Sequence, residues 1–344
     1  RKIPMNLLRV SSPHTSGQKK VSAVMGDVLL ATLPGIMVLT WFFGPGTLVN
    51  IFFGTIIALV AEYAALKVRG RDPKVAIRDL SVVVTSTLLC IALPPYAPWW
   101  LVLLGVLTSV LLGKHVFGGL GYNPFNPAMV GYVVLLISFP VQMSSWPSPR
   151  GLTDVPGLAD TLVRVFMPGT LDAMTAATPL DLLRQNGGLL FEDLLSSSPE
   201  LTSWSGIGWF EVNLSFLAGG IWLLYRRTFT WHSPVSMLIA ISVCALIGFD
   251  DGSSESGGSA LFHLFSGATM FAAFFIITDP VSSAVSNLGR LIFGSLIGVL
   301  IYLIRIFGNY PDAVAFAVLI LNFCAPFIDH YTQPTVYGTQ RDES

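Results

Sequence analysis

The chain has 344 residues, 53% of them hydrophobic and only 11% charged, with a formal net charge of −1. An ordinary soluble domain carries about 25% charged residues, so this composition excludes the pair of soluble domains that length alone would permit. Mean hydropathy is +0.68, and apolar runs recur at about the 20 residues needed to cross the hydrocarbon of a lipid bilayer. The sequence reads as an all-α, polytopic membrane protein, with no nucleic acid expected as a partner.

Residues 1–23 are polar and basic, with Arg1, Lys2, Arg9, Lys19 and Lys20. They lack the short apolar core and small-residue cleavage site of a signal peptide and are expected to form a cytoplasmic segment. Ten apolar stretches follow, near 24–43, 47–66, 80–94, 98–113, 128–143, 207–225, 233–249, 260–278, 290–307 and 313–329. Five fall in a first block, 24–143, and five in a second, 207–329. A long polar loop, 144–206, separates the blocks, and a tail, 330–344, closes the chain. The third stretch ends at Pro94-Pro95, the fifth is preceded by Gly118-Gly119-Leu120-Gly121-Tyr122-Asn123-Pro124-Phe125-Asn126-Pro127, and the eighth ends in Thr278-Asp279-Pro280.

Five spans per block would set the blocks in opposite orientation. Asp27 and Glu211 open the two blocks, and the third and eighth stretches both end at a proline break. This echo predicts two inverted five-helix repeats, an arrangement whose broken helices mark binding sites in many transporters. Lys and Arg set the expected orientation. The N-terminal segment, the loop with Lys67, Arg69, Arg71, Lys74 and Arg78, and then Lys114, Arg226, Arg227, Arg290 and Arg341 all fall on one side. The loop 144–206 has only Arg150, Arg164 and Arg184, against seven acids. Both termini should therefore be cytoplasmic and the loop periplasmic, in a bacterial inner membrane. Cys90, Cys244 and Cys324 are isolated in apolar sequence, with no pair at metal-ligand spacing.

The loop carries Asp172-Ala173-Met174-Thr175-Ala176-Ala177-Thr178. It resembles the flavin-attachment motif D-x-x-[S/T]-G-A-T, whose last Thr carries FMN through a phosphoester; Ala176 replaces the motif's Gly. Ser266-Gly267-Ala268-Thr269 matches the core of that motif more literally. It lies in the eighth apolar stretch, beyond reach of a soluble transferase, where a flavin phosphate would be costly to bury. Thr269 also has His263, not an acid, at the upstream position. The small residues of 266–269 read instead as a close helix-packing face. Thr178 is thus the expected attachment residue, with Asp172 and Thr175 part of its motif. Thr178-Pro179-Leu180-Asp181 also reads as a helix start, capped by Thr with Pro at the first helical position.

Asn123, Asn126 and Asp279 sit at the Pro-broken ends of apolar stretches. Asn amides can donate to and accept from the edge of a heterocycle, and the two blocks would supply these residues to one site; capping of the following helices is the alternative. Asp27, Glu62 and Glu211, as acids in or near apolar stretches, are candidates for an ion path. His115 and His263 read as packing residues, and Trp99, Trp100 and Trp209 as interfacial anchors.

Ser11-Ser12-Pro13-His14, the 121–128 segment Gly-Tyr-Asn-Pro-Phe-Asn-Pro-Ala, the Thr178 loop and Ile277-Thr278-Asp279-Pro280-Val281-Ser282 together resemble the NqrB/RnfD family over nearly the whole chain. The short N-terminal segment places it nearer the Rnf members. That resemblance implies a membrane subunit of an ion-translocating ferredoxin:NAD oxidoreductase complex. It further implies covalent FMN on Thr178 and a non-covalent riboflavin, with electrons passing to a second flavin-bearing subunit and iron–sulfur subunits while Na+ or H+ is moved. No complete active site is expected in this chain alone. The competing reading is a stand-alone channel or transporter for a small polar solute, which broken helices and inverted repeats would also suit.

Overall fold

The computed structural model describes residues 20–73, 78–167, 175–185, 189–202, 204–249, 257–308 and 313–333. Asp172, Ser11–His14, Lys74 and Arg341 lie outside the described residues.

Each of the ten apolar stretches is largely helical. The first block forms α1 (Val21–Phe43), α2 (Gly46–Val68), α3 (Ser81–Ala92), α4 (Trp99–Leu107), which runs on as a π-helical segment (Thr108–His115), and α5 (Pro127–Ser138) followed by the short α6 (Pro140–Ser144). The second block forms α10 (Trp209–Tyr225), α11 (His232–Ile247), α12 (Ala260–Phe265), α13 (Thr269–Phe271) with a π-helical segment (Ala272–Ile276), α14 (Asn287–Phe307) and α15 (Val314–Thr332). Among the described residues, four helices are long and apolar enough to cross a membrane: α1, α2, α14 and α15. Shorter apolar helices, including α3, α5 and α11, accompany them.

Small residues let the helices approach. Gly35 of α1 faces the Phe216 ring of α10, and Gly219 of α10 faces the Ala31 carbonyl of α1, so neither position has room for a Cβ. These contacts lock the two blocks together without relying on the hydrophobic effect, which gives no drive between helices already in lipid. Inside the second block, Gly294 and Gly298 of α14 do the same against α11.

The eighth stretch differs from its sequence reading. Ser266-Gly267-Ala268 is a break between α12 and α13 rather than a continuous packing face. Gly267 has a φ of +60°, and a Cβ there would approach the side chains of Leu180 and Arg305. Carbonyls freed by the break must be satisfied internally at this depth. Arg305 donates to the carbonyls of His263 (2.9 Å) and Ser266 (3.4 Å), and Asn213 donates to those of Phe265 and Gly267 (2.9 Å each).

The loop between the blocks is compact and not purely helical. Trp146–Pro147 (β1) pairs antiparallel with Thr175–Ala176 (β2), Trp146 opposite Ala176. Between and after them lie α7 (Leu158–Phe166), α8 (Pro179–Arg184) and α9 (Phe191–Ser197). Tyr96, in the turn after α3, ties the loop down: its hydroxyl donates to the Phe43 carbonyl at 2.9 Å, and Arg164 of α7 lies over its ring. Burial pushes that phenol up to about 12, against the smaller opposing effects of Arg164 and Thr161, so it stays a donor.

Candidate functional site

Two cavities open at opposite ends of the helix bundle. The first lies beneath the 144–206 loop and has a volume of about 190 Å³. Its walls come from both blocks and the loop, including Tyr132, Trp146, Trp209, Phe216 and Phe271, with Thr178 and Asp181 at its edge. Trp146 and Trp209 pack with ring centroids 4.9 Å apart, and Phe43 lies 5.3 Å from Trp209. Trp209, expected as an interfacial anchor, is part of this aromatic wall. The β1–β2 pairing explains the meeting: it fixes Thr175–Ala176 beside Trp146, so Thr178, two residues on, arrives at the cleft.

Thr178 caps α8, as the Thr-Pro sequence predicts. Its hydroxyl donates to Asp181 Oδ2 at 2.7 Å, while the Thr178 and Asp181 backbone N–H groups donate to Asp181 Oδ2 (3.1 Å) and Thr178 Oγ1 (3.3 Å). This reciprocal capping box satisfies two helix-terminal donors. It also directs the hydroxyl proton at a carboxylate, while Oγ1 itself accepts from the Asp181 N–H. Asp181 was not among the expected site residues; the T-x-x-D spacing is the signal that points to it. Thr175 is exposed on β2.

Thr269 presents no such group. It is 0% exposed. Its Oγ1 is engaged with the carbonyls of His263 (2.8 Å) and Ser266 (3.0 Å) and accepts from Arg305 Nη2 at 2.9 Å. The hydroxyl belongs to the repair of the helix break.

The second cavity, about 860 Å³, has Asn123, Asn126 and Asp279 all on its wall. That volume lies within the range of about 300–1,000 Å³ typical of ligand sites. Both π-helical segments contribute, Lys114 from one and Phe274 and Phe275 from the other; such segments occur often at functional sites. Asn126 does the capping that the alternative reading expects: its Oδ1 accepts from the N–H groups of Ala128 (3.0 Å) and Met129 (3.3 Å) at the start of α5. Its Nδ2 also donates to the Ile276 carbonyl at 3.3 Å, so it joins the blocks. Asp279 accepts from Ser282 Oγ at 2.6 Å. Asn123 donates to the Phe125 carbonyl at 3.0 Å, yet its Oδ1 is buried without a partner. Thr228 Oγ1 and His232 Nδ1, on the same wall, are likewise buried and unpartnered. Sequence reading missed both, because nothing local distinguishes the turn between α10 and α11.

The acids in apolar sequence have mostly found cations. Glu62 is buried between Lys114 Nζ (2.9 Å) and His115 Nε2 (2.8 Å). Asp27 of α1 pairs with Arg226, which follows the last residue of α10, at 3.2 Å. Glu211 is exposed beneath the loop. Each pair joins residues tens to hundreds of positions apart, so sequence spacing could not reveal it. No cluster of metal-ligand residues occurs among the described residues.

The apolar, mostly helical bundle, with helices long enough to cross a membrane and a ligand-sized hollow at one end, is the architecture of a polytopic membrane protein. Comparison with known proteins narrows that class. A family model described as the NQR2, RnfD, RnfE family matches residues 9–338. A protein of Cellvibrio japonicus (strain Ueda107), named as the D-type subunit of an ion-translocating oxidoreductase complex, is 50% identical over 343 residues, covering 98% of this chain and 96% of that one. Proteins of the same name are 51% identical over 340 residues in Ectopseudomonas mendocina (strain ymp; 99% and 98% covered) and 48% over 346 residues in Escherichia fergusonii (strain ATCC 35469; 96% and 98% covered). The chain belongs to the NQR2, RnfD, RnfE family.

Proposed function

We propose that this chain is the D-type membrane subunit of an ion-translocating oxidoreductase complex and carries FMN covalently on Thr178. The observation that supports this most is the placement of the Thr178 hydroxyl: hydrogen-bonded to Asp181 at 2.7 Å, on a surface loop, at the lip of an aromatic cleft. In attachment, Thr178 Oγ1 bonds to the FMN phosphorus of FAD, the pyrophosphate P–O bond breaks, AMP leaves, and the hydroxyl proton passes to a base. The cleft is too small to enclose an isoalloxazine fully, but its Trp146 and Trp209 faces suit a tethered ring lying at its mouth. Once bound, the flavin supplies the redox chemistry; the protein positions it and tunes its surroundings. The named relatives are subunits of complexes, which favours this reading over a stand-alone channel or transporter.

The topology follows the charge asymmetry. Ten spans form two inverted repeats in a bacterial inner membrane, with both termini cytoplasmic and the loop 144–206 periplasmic, where the FMN transferase acts. Electrons pass between this subunit, a second flavin-bearing subunit and iron–sulfur subunits of a ferredoxin:NAD-type complex, coupled to Na+ or H+ movement. In cells that possess the transferase, in-gel fluorescence of the denatured chain should be strong and should vanish in Thr178→Ala. A non-fluorescent unaltered chain contradicts the reading.

The second cavity is the proposed site of a non-covalent flavin, riboflavin by the family resemblance. Its support is the set of buried, unpartnered atoms on one wall, Asn123 Oδ1, Thr228 Oγ1 and His232 Nδ1. Buried polar groups are ordinarily satisfied, and a polyhydroxy, amide-edged ligand would satisfy these. Flavin extracted by acid should fall in Asn126→Ala while covalent fluorescence persists. Unchanged extractable flavin counts against the placement.

A further inference from the structure

Lys114 occupies an unusual position for a cation. It lies in the π-helical segment Thr108–His115 and is only 2% exposed, yet it is among the residues lining the second cavity. Its ammonium donates to Glu62 Oε1 and to Ser81 Oγ, each at 2.9 Å. An ammonium has three N–H donors, and the third has no protein partner among the described residues. Glu62 does not depend on Lys114 alone, since its other oxygen meets His115 Nε2 at 2.8 Å. A buried ion pair contributes little net stability, and apolar residues of similar volume often serve as well or better. Pairing alone therefore gives no reason for a cation at this wall.

The rest of the wall is consistent with a ligand that offers both acceptors and donors. The unpartnered Asn123 Oδ1 requires a donor, and the free N–H of Lys114 requires an acceptor. The charged lining residues are Lys114, Arg227, Arg290 and Asp279, so cations predominate. Asp279 is already engaged by Ser282 at 2.6 Å. Arg290 donates to the Ala284 carbonyl and to Thr230. The pyrimidine edge of an isoalloxazine has complementary chemistry, an imide N–H flanked by carbonyl oxygens.

We propose that Lys114 is a ligand-binding residue of the second cavity, held by Glu62 and Ser81 so that its remaining N–H donates to a carbonyl oxygen or ring nitrogen of the flavin. This rests on the reading of that cavity as a non-covalent flavin site. Hydrogen-bond donation at that edge favours the more electron-rich, reduced ring, so Lys114 raises the midpoint potential of this flavin as well as retaining it.

The test uses the intact complex and the double substitution Glu62→Gln with Lys114→Gln, which removes both charges and leaves no buried ion without its partner. Three quantities are read: acid-extractable flavin per mole of protein, the midpoint potential of whatever is retained, and covalent fluorescence at Thr178 as a measure of correct assembly. With covalent fluorescence intact, we expect at least a tenfold weaker retention of the extractable flavin or a potential shifted negative. A purely structural ion pair would move neither, and unchanged content with unchanged potential overturns the assignment. Should the double variant not assemble, Lys114→Arg decides, because it keeps the charge while displacing the donor: altered retention or potential supports the role, and no change in either overturns it. An unaltered complex with no extractable flavin overturns the second-cavity reading itself, and is thereby distinguished from a failure of Lys114 alone.

Discussion

The two ends of the bundle present cavities of different size and lining. At the loop end the cleft is small and aromatic, and Thr178 sits at its edge with its hydroxyl hydrogen-bonded to Asp181. A flavin proposed there would depend on a covalent tether, because a cleft of about 190 Å³ is too small to enclose it. The opposite cavity is several times larger, carries three cationic residues and one acid, and leaves buried polar atoms without partners. There a ligand can be held by complementarity alone. The contrast explains how one chain could keep one flavin by a bond and another by an unfilled hydrogen-bonding wall.

Substitutions can separate the two ends. The largest effect is expected from Thr178→Ala, which abolishes covalent fluorescence while leaving extractable flavin in place; loss of both would collapse the distinction. Glu62→Ala should be the most damaging to stability, since it strands Lys114 as a buried cation, and breaking such a pair costs about 3–5 kcal/mol. Thermal unfolding in detergent reads this, and a variant as stable as the parent would show that water reaches Lys114. Asn126→Ala removes a helix cap, a loss of about 1 kcal/mol, together with the link to Ile276. Its expected signature is lowered extractable flavin with covalent fluorescence kept. Asp181→Ala should have the smallest effect, weakening the cap of α8 by about 1 kcal/mol and slowing FMN attachment when transferase is limiting. Identical time courses of fluorescence would remove Asp181 from the account.

Apolar periodicity and turn residues made most helices legible: the stretch read at 290–307 is the helix Asn287–Phe307, and the cap formed by Thr178 and Pro179 was visible in four residues. Interruptions were less legible. The break at Ser266–Ala268 looks like small-residue packing in the sequence, because its carbonyls are satisfied by Arg305 and Asn213 from other helices. The π-helical turns left no signal in composition. Pairings across the fold were hidden for the same reason: Glu62 gives no sign that Lys114 and His115 will meet it, nor does Trp146 that it will pack against Trp209. Asn123, Asn126 and Asp279 were identifiable as residues beside Pro breaks, but only tertiary structure puts them on one cavity wall.

The central claim, that Thr178 is the tethering point, is tested most directly by the mass of the tryptic peptide Val165–Arg184 from protein made in cells with the transferase. The account predicts an increase equal to FMN less one water, with fragmentation placing it on Thr178. An unmodified Val165–Arg184 peptide, with the flavin mass found instead on the peptide containing Thr269, would contradict both the site and the topology on which it rests.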